Sequence, residues 1–156
     1  MPLRVSRITL WRSDVENVPG VLANALEPFA EAGVPLRLVM GYRFPRTPEH
    51  SAIEVAPIEG RRAKEAAERG GLKPSDIPCL LVEGDDRPGL GAAIGRACAE
   101  AGINIAFFMA MAIGRRFAAA IGFPDDEAAR NAVRVVRKAA GAPRRPAGAA
   151  RRRRSR

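Results

Sequence analysis

The chain has 156 residues, 47% of them hydrophobic and 5% aromatic, with a formal net charge of +9; this is room for one ordinary domain or two small ones. No run approaches the ~20 consecutive apolar residues of a membrane span, and the N-terminus carries no apolar signal-peptide block, so a cytoplasmic chain with no membrane partner is expected. Cys79 and Cys98 sit in apolar contexts without metal-ligand spacing, which predicts two buried thiols rather than a disulfide.

Residues 5–11 alternate, Ile8 and Leu10 against Arg7 and Thr9, and predict one strand from Val5 to Trp11. Ser13, Asp14 and Asn17 then offer capping chemistry, and Pro19 suits a first helical turn. The helix that follows is expected to bury Val21, Leu22, Ala25, Leu26 and Phe29 and to stop at Gly33, with Pro28 as an internal irregularity. Leu36 to Phe44 alternates again, with Leu36, Leu38, Met40 and Tyr42 on one face. After a loop over residues 45–50 come a short strand, Ser51 to Ala56, and an alanine-faced helix from about Glu59 to Arg69.

The second half repeats this order. Cys79 to Glu83 predicts a strand, Pro88 to Ala101 a helix, Ile103 to Ile113 and Phe117 to Phe123 two strands. Asp125 and Asp126 cap a last helix that buries Ala129, Val133 and Val136. Within the repeat, PGVLANALEPFAEAG (residues 19–33) aligns with PGLGAAIGRACAEAG (residues 88–102) at an offset of 69, with 7 of 15 positions identical. Two β-α-β-β-α units follow, and the chain divides into residues 1–74, 75–142 and a tail at 143–156. Leu72 to Ile77 is too short and proline-broken for a closing strand, so the sheet edges are expected to be completed by the other unit or by another chain.

Charge is unevenly placed. Seven arginines and no acidic residue lie in residues 143–156, which leaves +2 for residues 1–142. The tail reads as an unfolded, solvated segment, with binding of nucleic acid as its functional alternative. In contrast, the strands of residues 105–113 and 117–123 carry no charge on either face. Such faces call for a covering layer, either a second sheet or a second subunit, and a homodimer is the expectation.

Catalytic chemistry finds little support. Gly89, Gly91 and Gly95 follow a strand and open a helix, but their spacing is G-x-G-x-x-x-G. The next strand lacks the acidic residue that takes a ribose hydroxyl, and Asp85 and Asp86 would repel a pyrophosphate. These glycines are expected instead to let the helix lie close on its sheet. His50 is the only histidine and falls in a loop, and no nucleophile or metal constellation is present in the sequence. No cofactor, no metal and no catalytic residue is assigned, and the chain is expected not to be an enzyme.

The run strand–Asp-Arg-Pro-Gly-Leu–helix–Ala-Glu-Ala-Gly-Ile-Asn-Ile–strand, residues 79–107, resembles the first half of an ACT domain, and residues 14–36 match the same pattern more loosely. The resemblance spans about residues 4–140. It implies an α+β protein of two ferredoxin-like ACT units, βαββα(β), packed as a pseudo-dimer, with antiparallel sheets bearing helices on one face. It also implies a stand-alone regulatory protein that binds an amino acid or related small molecule at interfaces between ACT units and passes that state to a partner enzyme or regulator. Carried over residue by residue, the implied ligand-binding positions are Asp86, Arg87, Pro88, Gly89, Leu90 and Asn104 in the second unit. In the first they are Asp14, Asn17, Pro19, Gly20 and Val21; Pro35 stands there where the second unit has Asn104.

Overall fold

The strand and helix segments read from the sequence resolve into two layered units in a computed structural model, which describes residues 3–141. The Arg-rich tail, residues 143–156, lies outside the described residues. In chain order the elements are β1 (Arg4–Ile8), β2 (Trp11–Glu16), α1 (Val21–Glu31), β3 (Leu38–Arg43), β4 (His50–Ala56) and α2 (Gly60–Arg69). They continue with β5 (Lys73–Pro74), β6 (Cys79–Asp85), α3 (Leu90–Glu100), β7 (Phe107–Ile113), β8 (Arg116–Gly122) and α4 (Asp126–Gly141). Two four-stranded sheets form, ordered β3-β4-β2-β5 and β1-β6-β8-β7, and every pairing is antiparallel. Each sheet carries two helices on one face, the ferredoxin-like α+β architecture expected.

One strand expectation is corrected. Val5 to Trp11 is not a single strand: Arg4–Ile8 pairs with β6 in the second sheet, and Trp11–Glu16 pairs with β4 in the first. The chain crosses between sheets at Thr9 and Leu10, and Leu10 is fully buried there. Alternation runs through the crossing without a break in phase, so periodicity alone cannot detect it. The second sheet thereby gains its fourth strand from the N-terminus. Helix α4 secures that strand, with Arg7 paired to Asp126 and the Arg137 guanidinium donating to the Val5 carbonyl at 3.1 Å. A second correction concerns Leu72 to Ile77: Lys73–Pro74 does form a two-residue strand against Trp11 and Arg12, tolerated because it lies at the sheet edge.

Three apolar clusters hold the units. Trp11, Phe29, Ile53, Val55 and Leu72 fill the space under α1 and α2, where the buried face of α2 consists of Ala63, Ala66 and Ala67. Leu80, Val82, Ile94, Ile121, Phe123 and Val136 fill the second unit. The third cluster joins the two. Leu10, Met40, Ala56, Cys79 and Ala120 are buried between the helix-free faces of both sheets, flanked by Ile8, Leu38, Tyr42 and Phe107. Complete burial of a side chain the size of Leu or Phe stabilises by about 1.5–3 kcal/mol, so this cluster ties the units into one body. At its rim the Phe107 ring lies where a Cβ on Gly122 would be, 2.1 Å from its nearest carbon, and only glycine fits opposite that ring.

The uncharged strand faces are thus covered at one end by the other sheet, as expected. Toward the far end of β7 the cover stops.

Candidate functional site

The loops that enter α1 and α3 share one geometry. Gly20 and Gly89 are the N-caps, both in the left-handed region at φ 96° and 83°, and neither helix receives a side-chain cap. A left-handed residue turns the chain sharply from strand end to helix start, which glycine does at little steric cost. The capping expected of Ser13, Asp14 and Asn17 is therefore corrected. Asp14 sits within β2 and accepts from Arg12 Nε at 2.8 Å, while the Asn17 amide donates to the Pro48 carbonyl at 2.9 Å. Pro19 and Pro88 precede the N-caps rather than opening the helices.

The first helical hydrogen bonds run from Asn24 N–H to the Gly20 carbonyl and from Ala93 N–H to the Gly89 carbonyl, both at 2.9 Å. Ahead of them, the amides of Leu22 and Ala23 and of Gly91 and Ala92 have no acceptor among the described residues. Open first-turn amides and the positive end of the helix dipole favour an anionic group. Exposed Asp86 stands beside the second turn, its own N–H bonded to the Arg115 carbonyl at 2.8 Å. Arg87 reaches instead to the Ala139 carbonyl at 2.9 Å. Leu90 is 1% exposed and belongs to the core, so only its backbone faces the turn. Val21 is half-buried against the first core.

Topology separates residues that the sequence groups together. Strands β6 and β7 both run antiparallel to β8, so Asp85 aligns with Arg116 and Ile113, whereas Cys79 aligns with Gly122 and Phe107. Asp86 thus lies at one end of the sheet and Asn104, just ahead of β7, at the other, about 20 Å away at ~3.3 Å per residue. Asn104 is exposed, and its Oδ1 accepts from Ile105 N–H. The joint between units consists of the strand ends remote from both helix-entry loops, including Ile8, Cys79, Phe107, Leu38 and Ala56. The Asp14–Val21 and Asp86–Leu90 segments therefore do not meet within one chain.

Two cavities lie elsewhere. A groove of about 520 Å³ runs along the helix-free face of the second sheet to the start of β3, floored by Leu81, Met109, Met111 and Ala120 and rimmed by Arg4 and Arg37. A shallower, more polar hollow of about 420 Å³ involves Arg7, Ser75, Asp76 and Asp126. None of the sequence-derived site residues lines either one. Among the described residues no cluster of His, Cys, Asp and Glu is placed to hold a metal, and no helix is long and apolar enough to cross a membrane. His50 is exposed at the start of β4 rather than in a loop.

Sequence reasoning missed Glu54. It is fully buried on the helix-free face of the first sheet, accepts from the Tyr42 hydroxyl at 2.9 Å and lies 3.6 Å from the Arg12 guanidinium. Its Oε1 has no hydrogen-bond partner among the described residues. Burial, with Glu54 alongside, pushes the Tyr42 hydroxyl up to about 12, and burial pushes the Cys79 thiol up to about 12. The available signal was parity: Glu54 shares its face with Ala52 and Ala56, an apolar pair. The α3 glycines likewise differ from expectation. A methyl at Gly91 would meet the Phe108 ring at an ordinary 3.8 Å and one at Gly95 would meet nothing, so close helix-on-sheet packing does not require them.

Taken together, two ferredoxin-like units joined through their helix-free faces define a tandem ACT-type fold. The same fold occurs in the ligand-free regulatory subunit of aspartate kinase from Thermus thermophilus, 22% identical, with a TM-score of 0.59 over 89% of this chain and 97% of that one. A protein of Bacteroides thetaiotaomicron superposes with a TM-score of 0.68 at 13% identity, over 86% and 89% of the two chains. The aspartate kinase of Clostridium acetobutylicum matches over 88% of this chain and 34% of its own, with a TM-score of 0.55 at 11% identity. No family model and no curated protein matches the sequence.

Proposed function

We propose that the chain is a non-catalytic regulatory protein that binds an amino acid or related small molecule at the helix-entry loops and passes the bound state to a partner enzyme or regulator. The observation that carries this reading is the pair of uncapped, left-handed glycine turns at Gly20 and Gly89, each with open first-turn amides beside an acidic or amide side chain. A ligand carboxylate would take the amides of Gly91 and Ala92 and its ammonium group Asp86, with Arg87, Pro88, Gly89 and the Leu90 backbone shaping the turn. Asn104 contributes from a different unit, since its own lies about 20 Å from Asp86. In the first unit Asp14, Asn17, Pro19, Gly20 and Val21 form the weaker counterpart, because Asp14 and Asn17 already hold partners. Binding between units favours one relative arrangement by differential affinity. The fold shared with regulatory subunits of aspartate kinase supports the regulatory part of this reading.

A thermal-shift screen of the full chain against the twenty amino acids and related metabolites tests it. Ligand at about 100 times its dissociation constant adds about 2.7 kcal/mol, several degrees in Tm for a chain of this size. A shift from one chemical group of amino acids, abolished by Asp86→Ala, is the expected result; no shift with any compound overturns the reading. The seven arginines of residues 143–156 favour nucleic acid as a second reading. In that case deleting the tail removes salt-dependent nucleic-acid binding and leaves any amino-acid response intact.

A further inference from the structure

We propose that the groove between the helix-free face of the second sheet and the start of β3 binds a monocarboxylic acid with an apolar tail of about ten carbons, its carboxylate at Arg4 and its tail lying across β6 and β8 to β7. None of the helix-entry residues lines this groove, so the proposal goes beyond the amino-acid reading and stands or fails without it.

Strand register builds the floor. On the helix-free face one row runs Ser6, Leu81, Ala120, Met109 across β1, β6, β8 and β7, and the next runs Arg4, Glu83, Ala118, Met111. The first strand lies about 14 Å from the last at ~4.8 Å per strand, the length of an extended acid of about ten carbons. Ala118 and Ala120 keep the middle of the floor low, and the two methionines close its far side with unbranched, adaptable side chains. Leu38 and Pro57 line the groove from the first unit, so the space of about 520 Å³ has walls on both sides and the size of a single small-ligand site.

The other copy of the repeat fills the same place with its own side chains. Matching the pair Leu38–Ala56 to the pair Phe107–Gly122 sets Arg12, Tyr42 and Glu54 of the first sheet where the second has Leu81, Met111 and Ala120. In the first sheet those three polar groups contact one another and occupy the face. In the second, the three matching residues are apolar and leave a cavity. Met109 and Met111 are 43% and 62% exposed beside it. Apolar surface left in water around a concave site gains by burial against an apolar ligand.

Charges at the rim set the sign of the ligand. Arg37 is paired with Glu83 and Arg7 with Asp126, whereas Arg4 is exposed and has no side-chain partner among the described residues. Ser6, two residues along on the same face, adds a hydroxyl. A guanidinium and a hydroxyl together suit one carboxylate. Glu59 and Glu83, the acidic residues of the rim, oppose a second negative charge, which disfavours a dicarboxylate or a phosphate ester.

Isothermal titration calorimetry of the full chain with sodium decanoate, kept below the concentration at which it forms micelles, reads the site directly. The expected result is one decanoate bound per chain, hexanoate weaker by about tenfold or more, and no binding of decylammonium, which has the same tail and the opposite charge. Decanoate carries no ammonium group, so the turn beside Asp86 does not account for its binding. Arg4→Gln is expected to raise the dissociation constant about tenfold. Ala118→Phe, at an exposed position inside the groove, is expected to abolish binding. Far-UV circular dichroism should show both variants folded. Failure of decanoate to bind the unaltered chain overturns the proposal, as does decylammonium binding equally well, or a dissociation constant that either variant leaves unchanged.

Discussion

Glu54 depends on its neighbours more than any other charged residue described here, because its carboxylate has no solvent to fall back on. Removing the cation strands a buried charge, whereas removing the charge itself does not. Arg12→Leu is therefore expected to cost about 3 kcal/mol, and Glu54→Gln, which keeps an acceptor for Tyr42, within about 1 kcal/mol. Urea unfolding of the two variants measures the difference, and equal losses would contradict it. Tyr42 and Cys79 set the alkaline limit. Each has a folded-state value of about 12, above the free-group values of 10.0 and 9.0. As pH rises the unfolded chain gives up these protons first, so stability is complete below about pH 9 and declines toward pH 12. In a Tm-against-pH series, Tyr42→Phe should show a shallower decline than the unaltered chain. The parity of Glu54 was readable in the sequence, but its burial was not, because one carboxylate between Ile53 and Val55 has the pattern of an ordinary solvent-facing position.

At the scale of elements, the four helices and strands β3, β4, β6, β7 and β8 follow from local pattern, whereas β1, β2 and β5 do not. α1 and α3 occupy the positions that the repeated Pro-Gly and Ala-Glu-Ala-Gly segments mark. β1 is the opposite case: its alternation locates a strand, while its partner β6 lies more than seventy residues away. Deleting residues 1–8 exposes the β6 ladder and the core around Val82 and Ile121. Hydrogen exchange should then accelerate in β6 and β8 and remain slow in β2 and β4. Uniform acceleration across both sheets would mean that β1 supports the whole chain rather than one sheet. The helix-entry turns divide similarly. Pro-Gly marked them in sequence, but only the backbone placed glycine as the N-cap and showed that Asp14 belongs to a strand.

For the molecule as a whole, the decisive contact is the cluster shared by the helix-free faces. Leu10, Met40, Ala56, Cys79 and Ala120 come from both units, so neither completes its burial alone. The chain should accordingly unfold in one cooperative transition. Ala120→Arg places a charge in that joint and is expected to destabilise by about 3 kcal/mol or more. Calorimetry should resolve two transitions in that variant if the units keep their own cores, and a single unshifted transition would show the joint to be dispensable.

Period, repeat and charge placement determined by themselves that this chain is a duplicated β-α-β-β-α protein with a nearly neutral body, an arginine-rich end and an uncharged pair of strands. Those properties depend on residues close together in sequence, where side-chain alternation and turn chemistry act. Only the tertiary structure decided that β1 serves the second sheet, that Glu54 is buried, and that Asp86 and Asn104 lie at opposite ends of one unit. Each of these depends on which strands run side by side and which face meets which. That choice is settled by burying the helix-free faces against each other, a contact between distant segments that no local pattern encodes.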